Sequence, residues 1–371
     1  MRLPWRWLLS VTSAATLSQA HASSWNMPVG VTDISRDIFG LHMTIFWVCV
    51  VIGVIVFGVM FYSLFRYRHS KGAKAAQFHE HTSVEVLWTA IPILILVGMA
   101  VPATATLKNM YDTSEADLDI MITGQQWRWR YEYLGEDVAF TSNLSTSREQ
   151  IRGEAERGEH YLLDVDEPLV LPINRKVRFL MTSDDVIHSW WVPELAVKQD
   201  TIPGFINENW VQINEPGIYR GQCAELCGVN HGFMPIVVHA MEEADYEIWL
   251  AERKEAAEQE AMGVDREWAL EELMARGETV YQSICSSCHQ SEGQGAMPAF
   301  PALAGNEQLI DDLDWHLDRI INGVSGAAMP AFRSTLNPVE IASVVTYTRN
   351  AWGNDTGDVV QPAAVAELIT Q

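Results

Sequence analysis

The sequence predicts a multidomain chain: a two-helix transmembrane hairpin, then an all-β domain, then a small all-α domain. Three observations carry that reading. Leu41–Phe65 and Val86–Leu107 contain no Asp, Glu, Lys or Arg, and each is long enough to cross a bilayer as a helix. Between about 118 and 241, short apolar runs such as KVRFLMTS, ENWVQI and PIVVHAM alternate with polar residues and are broken by Gly, Pro, Asn and Asp, the period of half-buried strands. Beyond 268, helical stretches flank the motif CSSCH at Cys285–His289.

The N-terminal 22 residues read as a secretory signal. Arg2 and Arg6 give a positive start, an apolar run follows, and Ala20-His21-Ala22 is a small-x-small cleavage site. The hairpin region, 23–110, holds helices at about 41–65 and 86–107. Between them RYRHSKGAK places four bases in nine positions, so this loop is expected on the cytoplasmic side. Both ends of the hairpin, and everything after Leu107, then lie on the periplasmic side. The all-β domain, a sandwich or barrel, is expected over 111–242. The stretch 243–267 is rich in Ala, Glu and Lys, with Tyr246, Trp249 and Leu250 at helical spacing, and reads as a mostly solvated helical linker. The helical domain is expected over 268–355, and 356–371 as a flexible tail.

The formal net charge is −23, yet seven Lys/Arg and only four acids precede residue 105, so the acidic excess lies wholly beyond the hairpin. Such a surface repels a phosphate backbone and argues against nucleic acid. It keeps a domain soluble and suits a basic protein partner.

Of the five cysteines, Cys49 lies in the first apolar segment and reads as a packing residue. The others form two close pairs, for which a disulfide is the default reading in an oxidising compartment. The first pair sits in CAELCGVNHGFM, where Cys223, Cys227, His231 and Met234 are spaced 4, 4 and 3 ahead of a strand. Two thiolates, an imidazole and a thioether are a soft donor set suited to copper. With His188 of DDVIHSWWVPEL there are enough ligands for two coppers. Zinc on two Cys and two His is open by ligand type, although the thioether argues against it.

The hairpin together with GQQWRWRYEY, IHSWWVPEL, KQDTIPG and CAELCGVNHGFMPIVV resembles cytochrome c oxidase subunit II, over about two thirds of the chain. The resemblance implies a cupredoxin fold carrying the binuclear copper centre CuA. It makes Cys223 and Cys227 the bridging ligands and His188 and His231 the terminal ones. Met234 becomes a weak ligand, and the backbone carbonyl of Glu225 completes the set. It further implies that Trp127 is the electron-entry residue and that the Glu225 side chain serves a Mg or Mn site shared with subunit I. Glu85 of SVEVLWT would stand at a proton-channel entrance. The implied setting is a bacterial inner membrane, beside subunits I and III and membrane lipid.

CSSCH is a c-type haem attachment motif: Cys285 and Cys288 bond the haem vinyls and His289 takes the iron. The region 268–352 resembles a class I cytochrome c domain. MPAF occurs twice, at 297–300 and 329–332, so two methionines compete for the second axial position. Met297 is only 8 residues past His289, a span of at most ~28 Å, with almost no slack round a haem edge. Met329 lies 40 residues on, after the pliant GVSGAA and before NPVEIASVVTYTRNAW, whose Asn-Pro start suits a helix N-terminus. Met329 is the expected ligand and Met297 pocket wall. His/Met ligation raises the haem potential.

The expected function is subunit II of a proton-translocating cytochrome c oxidase, fused to a cytochrome c domain as in caa-type oxidases. Electrons would come from a soluble donor through haem c and CuA to subunit I, where oxygen is reduced to water. No oxygen-reducing site is expected in this chain. The alternative is the electron-input subunit of a CuA-type nitric oxide reductase. A membrane-anchored copper chaperone lacks the hairpin and haem motif, and a quinol oxidase subunit lacks the copper ligands.

Overall fold

The computed structural model describes residues 26–74, 77, 79–296, 298, 300–333 and 335–370. The signal segment expected at 1–22 and Met297 lie outside the described residues.

Helices α1 (Asp33–Arg66) and α2 (Thr82–Met110) form the hairpin. Both overrun the expected 41–65 and 86–107, and the start of α1 is set by polar groups outside the apolar stretch. At α1 the Thr32 side chain accepts from Ser35 N while the Ser35 hydroxyl closes a capping box. The apolar window of each helix is uncovered by the rest of the chain, as a lipid-facing helix requires. The hairpin is nonetheless fastened to the β domain. Asn214 N donates to Val31 O (2.9 Å), Arg36 pairs with Glu215 (2.7 Å), and Trp210 Nε1 donates to Asn109 O (3.1 Å).

The β domain is a sandwich of two five-stranded sheets. One contains β1 (Leu118–Gln125), β2 (Arg128–Tyr133), β3 (Val138–Ser142), β5 (Val177–Ser183) and β8 (Asn207–Val211), in the order β3-β2-β1-β5-β8. The other contains β4 (Leu169–Pro172), β6 (His188–Val192), β7 (Val197–Thr201), β9 (Gly217–Cys223) and β10 (Pro235–Met241), in the order β4-β10-β9-β6-β7. β5 shows the alternation at its simplest: Val177, Phe179 and Met181 are buried and their neighbours are not. Trp129, Tyr131, Phe179 and Trp190 fill the space between the sheets. A short helix, α3 (Arg148–Arg152), sits in the loop after β3.

α4 (Glu243–Met262) is the mostly solvated helix expected, with one narrow stripe that anchors it. Tyr246 and Leu250 are buried in the sandwich core, Trp249 packs on Tyr133 and Phe140, and Arg253 and Lys254 pair with Glu167 and Glu136. The helix looks polar in sequence because one narrow stripe does the anchoring.

The helical domain contains α5 (Leu270–Val280), a wide π turn (Tyr281–Cys285), α6 (Ser286–His289), α7 (Glu307–Asp311), α8 (Leu313–Asn322) and α9 (Pro338–Asn350). α9 begins as read: Asn337 caps Glu340 N and Pro338 occupies the first turn. The tail is not loose. α10 (Pro362–Ile369) packs against α9, with its Val365 and the preceding Val360 both buried.

Candidate metal centre and haem cavity

The copper-type donors come from two neighbouring strands and one loop. β9 ends at Cys223, and β6 begins at His188. The strands are paired, with Trp190 opposite Cys223 and Ala224 N donating to Ser189 O (2.9 Å). The loop then turns back on itself at Gly228, whose φ of +121° suits only glycine. This brings Cys227 Sγ to 3.9 Å from Cys223 Sγ, 3.5 Å from His231 Nδ1 and 3.5 Å from Met234 Sδ. The Glu225 carbonyl lies 3.3 Å from Cys223 Sγ. The donor atoms of His188, Cys223 and Cys227 lie within 4.8 Å of one another. No disulfide joins any described cysteine.

Two details favour a metal over a packed thiol pair. His188 is fully buried, with Nε2 against Asp185 Oδ1 (2.8 Å), yet its Nδ1 has no hydrogen-bond partner. An orphaned buried nitrogen costs free energy unless something occupies it. The sulfurs are also electronically unequal: their mutual hydrogen bond pushes the Cys223 thiol down and the Cys227 thiol up. A soft donor set of this kind fits copper. Gly124 makes room for the imidazole, since a Cβ there would stand 2.8 Å from the His188 ring.

The second site is a cavity of about 510 Å³, within the ~300–1,000 Å³ range of cofactor pockets. Cys285, Cys288, His289 and Met329 all line it. His289 Nδ1 donates to Pro301 O (2.9 Å), which leaves Nε2 free to bind iron. Burial pushes the Cys285 thiol up to about 12, with Arg128 pulling the other way. The loop carrying Met329 crosses Gly323 so closely that a Cβ there would meet Pro330 C at 2.6 Å, and Val324 N donates to Met329 O (3.0 Å). The pliancy read from GVSGAA therefore has a location.

Three residues from the β domain, Gln126, Trp127 and Arg128, line the same cavity. Trp127 Nε1 (3.2 Å) and Gln126 Nε2 (2.7 Å) both donate to Cys227 O. One indole therefore touches the thiolate loop and the wall of the haem cavity. Glu225 is solvent-exposed, as are its neighbours Leu226 and Val229. Glu85 lies in the first turn of α2 and accepts from His81 N (3.2 Å), a capping contact.

Sequence reasoning missed several residues. Asp185 steadies His188 from three positions upstream, in the quoted DDVIH. His316 on α8 lines the haem cavity and is buried, with Nδ1 unpartnered; burial, then Arg349 and His289, hold it neutral, with a pKa of about 3. Only the orphaned nitrogen singles it out, and that is invisible in sequence.

Family models match at three places: the cytochrome c oxidase subunit II transmembrane domain over 20–105, its periplasmic domain over 118–241, and cytochrome c oxidase, cbb3-type, subunit III over 272–347. A probable cytochrome c oxidase subunit 2 from Rickettsia felis is 38% identical over 224 residues, covering 60% of this chain and 70% of that protein. The chain belongs to the cytochrome c oxidase subunit II family. The subunit 2 of Cyanidium caldarium is 39% identical over 225 residues, covering 59% of this chain and 86% of its own. The solved periplasmic domain of subunit II (CoxB) of Bradyrhizobium japonicum is 36% identical, covering 39% of this chain and 98% of that one with a TM-score of 0.35. Family membership brings the CuA centre, and the C-terminal cytochrome c domain brings haem c. As a subunit II, the chain is part of a haem–copper oxidase and partners subunit I.

Proposed function

We propose that this subunit II is the electron-input arm of its oxidase and takes electrons at its own cytochrome domain. The observation that carries the reading is Trp127, which lines the cavity of CSSCH and donates to Cys227 O. When bound, haem c and CuA supply one-electron carriage, toward subunit I and its oxygen chemistry, coupled to proton translocation.

The residues divide the work. Cys223, Cys227, His188 and His231 would hold the copper centre, with Met234 and the Glu225 carbonyl completing the set. Asp185 holds the His188 ring through Nε2 and leaves Nδ1 open to a metal. Cys285 and Cys288 would hold the haem covalently, and His289, through Nε2, and Met329 would bind its iron. His316, buried in the same cavity with Nδ1 unpartnered, is suited to donate to the group bound there.

Glu225, exposed beside the loop, is proposed for a Mg or Mn site with subunit I, and Glu85 for the proton-channel entrance. The chain is placed in a bacterial inner membrane, with a cytoplasmic hairpin loop and both redox domains periplasmic, beside subunits I and III and a soluble donor. Oxygen uptake by the purified complex, with spectra of haem c and CuA during turnover, tests this. Nitric oxide consumption without oxygen uptake would overturn it.

A further inference from the structure

We infer that Arg128 raises the midpoint potential of the haem by holding an unpaired positive charge in the wall of the haem cavity. This rests on the haem reading of that cavity and adds its electrostatics.

Arg128 opens β2 and lines the cavity, yet it is only 4% exposed. Its Nε donates to Gln125 Oε1 (2.8 Å), and Gln125 is held in turn by Thr335, whose Oγ1 accepts from Nε2 (2.8 Å). The two terminal nitrogens have no hydrogen-bond or ion-pair partner among the described residues. The Phe332 ring lies 5.4 Å from the guanidinium and offers a cation–π contact, which does not neutralise the charge. Burial disfavours that charge, but a guanidinium stays protonated in a protein. A buried, unpaired cation is costly, so its presence calls for something that gains from it.

The neighbouring charges do not cancel it. Two acids act on Arg128, Asp184 and Asp185, and both are engaged elsewhere. Asp184 accepts from Gln125 Nε2 (2.7 Å), while Asp185 accepts from Gln126 N (2.6 Å) and bonds His188 Nε2 (2.8 Å). Among the described residues no Asp or Glu lines the haem cavity. Burial keeps His289 and His316 neutral, the latter with a pKa of about 3. Arg319 of α8 lines the cavity too, but its side chain is 34% exposed and lies 3.7 Å from Asp318. Arg148 of α3 is half-buried and donates to the Oγ of Ser286 (2.7 Å), between the two haem cysteines. In a chain of net charge −23, the pocket wall is therefore cationic.

Reduction adds one electron inside this cavity and needs no proton. A positive charge nearby favours the added electron, and burial protects that attraction from salt. At about 10 Å and an effective dielectric of ~20, a unit charge shifts a one-electron equilibrium by on the order of tenfold. Arg128 interacts with Cys285 and Cys288, so its charge acts where the haem is attached.

The test is a spectroelectrochemical titration of haem c in the full oxidase complex. In Arg128→Gln the ferrous-to-ferric ratio at a fixed applied potential should fall about tenfold, a midpoint lowered by ~59 mV. That shift should persist at high salt. Arg128→Lys should keep most of the wild-type midpoint, because it keeps the charge. Arg319→Gln should move it less than Arg128→Gln, because water screens that charge. Asp184→Asn leaves Arg128 in place, removes one opposing charge and should raise the midpoint; this arm stands where Arg128→Gln does not assemble. An unchanged midpoint in Arg128→Gln, an equal fall in Arg128→Lys, or no rise in Asp184→Asn would overturn the role of Arg128 alone. A wild-type complex without covalently bound haem would overturn the reading of the cavity itself.

Discussion

Gly277→Ala is a sharp test of how the cytochrome domain is packed. Gly277 lies in the middle of α5, where this helix crosses α9. A Cβ there would stand 2.1 Å from the Ser343 carbonyl oxygen and 2.6 Å from Tyr347 Cβ. An ordinary C···O contact is about 3.3 Å, so the helices must part by roughly 1 Å. The obstacle is helical backbone, which cannot rotate aside. Parting them loosens Leu273, Val280, Ile341 and Val344, which are buried around the crossing. Overpacking of this kind costs ~1–3 kcal/mol, and rigid backbone puts it at or above the upper end. Alanine's better helix propensity returns about 1 kcal/mol. The net expectation is a loss of about 2 kcal/mol. Because α5 runs directly into the turn carrying Cys285, the haem should feel the shift. The assay is guanidinium unfolding followed by haem absorbance. Gly158→Ala, where nothing lies within 4 Å, serves as control and should change stability by less than ~0.5 kcal/mol. If Gly277→Ala is neutral or stabilising, the close helix crossing is wrong.

Met329→Ala should leave haem attached through Cys285 and Cys288, lower its potential and abolish any far-red Met–Fe(III) band, whereas Met297→Ala should keep that band. An exchange of behaviour between the two would reassign the ligand. Asp185→Asn should weaken copper binding by about 10–100-fold, since it loosens the partner that orients His188; competition with a copper chelator measures this. Residues 110–242 expressed alone should bind two coppers per chain and turn purple, and a single copper with a mononuclear EPR signature would refute the binuclear assignment. Turnover with a basic cytochrome c should fall as ionic strength rises, because the chain carries a net charge of −23. Indifference to salt would leave the acidic surface a solubility feature.

The sequence determined what depends on local chemistry. A charge-free apolar run announces a membrane helix by its length alone. Cys-x-x-Cys-His places two sulfurs and an imidazole on adjacent turns, and the 4, 4 and 3 spacing of Cys223, Cys227, His231 and Met234 folds into one loop. The sandwich was legible because strand alternation, as in β5, is written every second residue. Ends and supports were not legible in this way. The first hairpin helix begins ahead of its apolar segment because Thr32 and Ser35, polar residues outside it, set the cap. The tail reads as loose because its few apolar residues mean nothing until α9 gives Val360 and Val365 a surface to bury against. Arg148 and Ser286 are 138 residues apart, and Gln125 and Thr335 are 210 apart. Neither pair leaves a periodic or compositional trace, because each partner looks like an ordinary polar surface residue by itself. The same holds for His316, whose unpaired nitrogen exists only once α8 closes over the cavity. Tertiary structure alone decided that Trp127 touches both the thiol loop and the wall of the second cavity, since only folding brings the turn between β1 and β2 against the cytochrome domain.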